Sequence, residues 1–383
     1  MRGTCSLLAL TCLLLPGYAA PPAAPLGIFE DHADVGTVLH AGSVEYDASK
    51  RAYTIAGSGE NMWFATDAFQ FVWKKMSGDA ALTADIAFIG SGGEAHRKAV
   101  LMIRQSLEAD SAYADVARHG NGLTSLQARD EKGANTSEVQ SAMDGPARVR
   151  IVKRGDQFYM WVAGPGEDLR FSGASMRVPL HDPFYVGIGV CSHDKDAVEK
   201  AVFSNVDLTA GPPAEAAPKL YSTLETVPLS GDRRITYVTQ GRLSSPRWDP
   251  NGESLVFENG GFAERIPLAG GKPEVMQGSA LSSGEPNGAG TGPEEQPLDP
   301  KLLSDGFRNI FAEFSPDGQQ IAFLSFGKDV TGVPEDQEAM LRVISRKDGK
   351  VRLLATFVGG KGSGPSWSPD GGKLAFISYR WIR

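Results

Sequence analysis

The chain has 383 residues, 41% of them hydrophobic and 22% charged, which suits a soluble globular protein of roughly two domains. Its formal net charge of −8 argues against nucleic acid as a partner, because binding to a phosphate backbone needs a basic patch.

Residues 1–19 read as a signal peptide. Arg2 supplies the positive start, Leu7 to Leu15 the apolar core, and Gly17 and Ala19 the small residues of a cleavage site after Ala19. The apolar run is shorter than the ~20 residues of a spanning helix, and no later stretch reaches that length. A periplasmic or secreted protein without a stable membrane span is expected. Cys5 and Cys12 fall in the removed segment, so Cys191 has no internal partner. It ends the apolar run from Phe184 to Val190 and is expected as a buried strand thiol.

Residues 20–26 form a Pro/Ala-rich leader. From 27 to 210 the pattern predicts short strands and no long helix: Ser43–Tyr46, Ala52–Ile55, Phe69–Lys74, Ala81–Ile89, Ala99–Ser106, Ala112–Arg118, Thr124–Arg129, Ala147–Lys153, Gln157–Val162, Phe184–Cys191 and Lys200–Asp207. Gly, Asp, Asn and Ser separate them, as in an all-β sandwich. Gly90 to Gly93 and Arg154-Gly155-Asp156 read as hairpin loops. Residues 211–219, rich in Pro and Ala, read as a linker.

Beyond the linker, one phrase occurs three times: Trp248-Asp249-Pro250-Asn251-Gly252, Phe314-Ser315-Pro316-Asp317-Gly318 and Trp367-Ser368-Pro369-Asp370-Gly371. Pro presets the first corner of a turn, Asp or Asn tolerates the second, and Gly takes positive φ. Each phrase is followed by a β-rich run, the pattern of propeller blades. Residues 220–383 therefore predict about twelve strands in three blades, too few to close a ring. Residues 278–300, rich in Gly, Ser, Pro and Glu, are expected to be a disordered insert.

The runs from Phe314 to Ser325 and from Trp367 to Ser378 resemble the repeats of TolB-like periplasmic propellers. The stretch from Lys98 to Asp115, with His119 to Gln127, is similar to concanavalin A-like jelly-roll modules. The resemblance implies an all-β chain: a jelly-roll sandwich at 27–210 and an incomplete propeller at 220–383. TolB-like propellers usually have six blades, so the middle blades are missing here. An open arc of this kind invites self-association.

Jelly rolls commonly grip carbohydrate on one sheet face, where rings stack on sugars and polar groups meet hydroxyls. The candidates for ligand contact are Trp63, Trp73, Arg104, His119, Gln127, Tyr159 and Trp161. Alternation sets Val100, Met102 and Arg104 on one face and Ala99, Leu101 and Ile103 on the other. A cation in so apolar a strand needs a carboxylate, for which Asp110 and Asp115 are candidates, or a ligand. Trp248 and Trp367 hold equivalent places before their turns and are expected to pack between blades. No E-x-D-x-E-like strand, G-x-S-x-G, C-x-x-C or H-E-x-x-H occurs, so no catalytic residue, metal or cofactor is assigned. The sequence thus favours a non-catalytic protein that binds a polysaccharide or glycan through the sandwich and an envelope protein through the propeller. The alternatives are a glycan hydrolase or lyase with unrecognised carboxylates, and a structural envelope component.

Overall fold

The computed structural model describes residues 26–90, 93–211, 219–276, 306–327, 338–358 and 364–382. The expected signal peptide at 1–19, the greater part of the expected linker and the expected insert at 278–300 lie outside the described residues. Among those described, every regular element is a strand, and no helix is long and apolar enough to cross a membrane.

The first half is two packed sheets. One holds β1 (Asp31–Val35), β4 (Phe69–Met76), β13 (Phe184–Cys191), β6 (Lys98–Arg104), β7 (Tyr113–His119), β8 (Thr124–Arg129) and β9 (Ser137–Gln140), in that spatial order. The other holds β12 (Arg170–Arg177), β11 (Gln157–Ala163), β10 (Arg148–Arg154), β5 (Ala80–Phe88), β14 (Asp194–Ala210), β3 (Ala52–Gly59) and β2 (Ser43–Asp47). Between them lies the main core, including Val72, Leu101, Ile103, Val116, Leu126, Ile151, Phe158, Ile188 and Phe203. Period-two alternation selects these residues: Ala99, Leu101 and Ile103 point into the core, while Val100 and Met102 join a second apolar cluster on the outward face. Cys191 is fully buried there, and burial pushes its thiol up to about 11.

The hairpin expected at Arg154-Gly155-Asp156 joins β10 to β11. The one expected at Gly90 to Gly93 is corrected: β5 and β6 belong to different sheets, so this connection crosses the sandwich.

The second half contributes β15 (Lys219–Pro228), β16 (Arg233–Gln240), β17 (Leu243–Trp248), β18 (Ser254–Asn259), β19 (Phe262–Pro267), β20 (Glu274–Val275), β21 (Arg308–Phe314), β22 (Gln320–Phe326), β23 (Glu338–Ser345), β24 (Val351–Val358), β25 (Ser366–Trp367) and β26 (Lys373–Ile382). They make three four-stranded units: β17 to β20, β21 to β24, and β16-β15-β26-β25. The last unit is built from both ends of the region, since β15 pairs with β26 from Lys219↔Ile382 to Pro228↔Lys373.

Each repeated phrase forms a hairpin within its unit, joining β17 to β18, β21 to β22 and β25 to β26. Gly252, Gly318 and Gly371 have φ of 73°, 67° and 70°. Their amides close the turns onto the carbonyls of Asp249, Ser315 and Ser368. Asp317 and Asp370 accept a backbone amide two residues on, and Asn251 does the same in the first copy.

The halves share a sheet. β16 pairs in parallel with β9 through Arg233↔Val139 and Arg234↔Gln140, so the first sandwich sheet continues into the third unit as eleven strands.

Candidate functional site

The outward face of the β1–β9 sheet carries most of the charge in the first half that is out of contact with water. Arg104, at the end of β6, is fully buried, and so is Arg129, at the end of β8. Both close on Asp67: Arg104 Nη2 lies 3.3 Å from Oδ2, and Arg129 Nη2 lies 2.8 Å from Oδ1. Asp67 is the carboxylate that pairs with Arg104, rather than Asp110 or Asp115. Arg104 Nη1 meets the Met102 sulfur, and other guanidinium bonds reach backbone carbonyls of Ser106, Glu108, Ala134, Ser111 and Phe64. One ion triad thereby ties three loops over one end of the sheet. Rings of Phe69 and Tyr113 lie against the two guanidinium groups.

Beside the triad, cross-strand register lines up Asp115 on β7, Gln127 on β8 and Glu138 on β9. Gln127 Nε2 lies 3.2 Å from His119 Nε2 and donates to Glu138 Oε2 at 3.3 Å. Lys98 Nζ donates to Asn61 Oδ1 at 2.8 Å. Four buried polar atoms of this row have no hydrogen-bond partner among the described residues: both carboxyl oxygens of Asp115, Oε1 of Gln127 and Nδ1 of His119. Burial pushes the Asp115 carboxyl well above the ordinary carboxylate range, with Lys98 opposing. Burial, then Lys98, draws the His119 imidazole down to about 3. Its ring meets His96 at 5.6 Å between centroids, and His96 meets His193 at 5.7 Å. His96 is exposed and His193 half-buried, so three imidazoles lead from solvent to the row.

The seven residues singled out from the sequence fall on two faces. Trp73, Arg104, His119 and Gln127 lie on the outward face just described, with half-buried Trp63 in the segment that covers it. Tyr159 and Trp161 belong to β11, on the other sheet, and pack with Phe171, Tyr221, Val238 and Ile382 against the second half. The structure does not bring the two groups together. Sequence reasoning passed over Asp67, Lys98 and Glu138. Alternation places Lys98 and Glu138 on the outward face, but only the strand order sets Glu138 beside Gln127. Among the described residues, no cluster of three His, Cys, Asp or Glu side chains is arranged to hold a metal ion.

No known family profile matches the chain. An uncharacterized protein of Agrobacterium fabrum is 30% identical over 154 residues, which is 39% of this chain and 43% of that protein. The chain thus spans less than half the length of that curated relative. A functionally unknown protein from Saccharomyces cerevisiae shares 16% identity at a TM-score of 0.36, over 45% of this chain and 93% of its own. A TolB protein from Agrobacterium tumefaciens shares 14% identity at 0.19, over 76% and 100% of the two chains. A β-1,3-1,4-glucanase from a mouse hindgut metagenome shares 9% at 0.29, over 44% and 83%. These likenesses are too partial to assign an activity.

Proposed function

We propose that this chain is an exported, non-catalytic binding protein. Its sandwich, a concanavalin A-like jelly roll, takes a glycan on the outward face of the β1–β9 sheet. Its second half, part of a TolB-like propeller, offers a surface to an envelope protein or to a second copy of the chain. The observation that carries the glycan reading is the set of unpartnered buried atoms on Asp115, Gln127 and His119. A buried polar group without a partner is costly, and sugar hydroxyls supply both donors and acceptors. Trp63, half-buried in the segment that covers this face, offers a ring for stacking.

The test is a glycan array probed with the full-length protein, because a shared sheet joins the sandwich to the second half. At least one glycan should bind, and Gln127→Leu and Trp63→Ala should each weaken it roughly tenfold. An array without a hit sinks the glycan reading. Release of reducing sugar by the pure protein would replace it with an enzyme.

A further inference from the structure

The seam between the halves holds an open cavity of about 510 Å³. Its walls come from both: Ala128, Val139, Met176 and Pro179 from the sandwich, Leu354 and Phe357 from β24. Pockets of several hundred Å³ at such junctions are common ligand sites. Asp130, Glu131, Glu138 and Glu338 also line the cavity, and three guanidinium groups reach it that are not equivalent. Arg233 is bound through Nε and Nη2 to Glu225, and the other oxygen of Glu225 accepts from Ser378. Arg177, exposed at the rim, lies near Asp156 and Glu338. Arg380 is 6% exposed and forms no ion pair among the described residues. Its Nε donates to Ser175 Oγ at 2.7 Å, its Nη1 meets Gln157 Oε1 at the long distance of 3.5 Å, and Nη2 makes no hydrogen bond among the described residues. Burial draws this guanidinium down to about 10.

A buried cation without a counter-ion is costly, and the guanidinium fork fits a carboxylate in two parallel bonds. We propose that the seam cavity is a second binding site, for a small organic acid whose carboxylate pairs with Arg380 while its body lies against Leu354, Phe357 and Met176. Glu225 and Glu338 act on Arg380 from a distance without bonding to it, so a bound carboxylate would join the halves through a contact that each lacks alone. This site adjoins the glycan face at Glu138, which borders both, but its contact with Arg380 does not depend on whether that face binds sugar.

Isothermal titration of the full-length protein tests it with three probes: D-glucuronate, D-glucose and L-lactate. Glucuronate and glucose differ only at the carboxylate, and lactate separates a short hydroxy acid from a sugar acid. One or both acids should bind while glucose does not. Arg380→Met should weaken that binding roughly tenfold or more, because a charge-assisted bond is lost. Should Arg380→Met fail to fold, Leu353→Trp decides: Leu353 lines the cavity and is 54% exposed, so a larger ring there blocks the entrance without entering the core. The proposal is overturned if neither acid binds at about 10 mM, a concentration that detects even millimolar affinity. It is equally overturned if glucose binds as well as glucuronate, or if the deciding variant binds the acid unchanged.

Discussion

Asp67 holds two buried guanidinium groups at once. Removing one partner from a buried pair strands the other charge, so Asp67→Ala should cost about 3–5 kcal/mol in urea unfolding. A loss under ~1 kcal/mol would mean that the backbone carbonyls alone satisfy Arg104 and Arg129. The residue escaped the sequence reading for a physical reason. It sits outside any strand, 37 positions before Arg104 and 62 before Arg129, so no local period marks it. His119 makes a second prediction. Its folded value near 3 lies below the ordinary 6.5, so the unfolded chain binds the extra proton between those values. The stabilisation is complete above pH 6.5 and is lost as pH falls toward 3. Relative to His119→Asn, the natural protein should lose about 2 kcal/mol between pH 7 and pH 5. Parallel stability–pH curves for the two proteins would rule this out.

Strands and turns were the most legible elements, because they obey local rules. Thr124–Arg129 and Phe184–Cys191 follow alternation end to end. The short strands Asp31–Val35, Ser137–Gln140 and the Gly-containing Arg170–Arg177 give too weak an alternation to be seen, and pairing with neighbours decides them. The three phrases predict hairpins and form them. What they do not reveal is the spatial order of the units, which two indole bonds record. Trp248 Nε1 donates to the carbonyl of Ser366, just before Trp367, and Trp367 Nε1 donates to the carbonyl of Glu313, just before Phe314. The unit ending in β26 therefore stands between the other two. Trp367→Phe, which deletes this bond but keeps a ring, should cost about 1 kcal/mol in chemical denaturation. Burial raises the nearby Glu313 carboxyl to about 7, above its usual 4.5. Here the folded state holds the extra proton, so the stabilisation exists below pH 4.5 and is lost as pH rises through 7. Glu313→Gln should escape that loss and gain about 2–3 kcal/mol on the natural protein between pH 5 and pH 8. An identical pH response would place Glu313 in water.

At the scale of the molecule, the repeats and the Pro-rich stretch read from the sequence suggest two separable bodies, and the β9–β16 pairing joins them into one sheet. Gly173 marks how close the halves come: a Cβ there would lie 2.8 Å from the Thr223 methyl. The full-length protein should melt in a single calorimetric transition, and a fragment ending at 211 should melt lower. Two resolved transitions in the full-length protein, one matching the fragment, would restore the picture of independent bodies. The pairing of β15 with β26 bears on synthesis as well. A ribosome delivers Lys219 long before Ile382, so β15 emerges with a raw hydrogen-bonding edge and must wait for its mate. That interval exposes the nascent chain to mispairing with its neighbours on a polysome, and makes it a natural client for a holding chaperone until the final strand arrives.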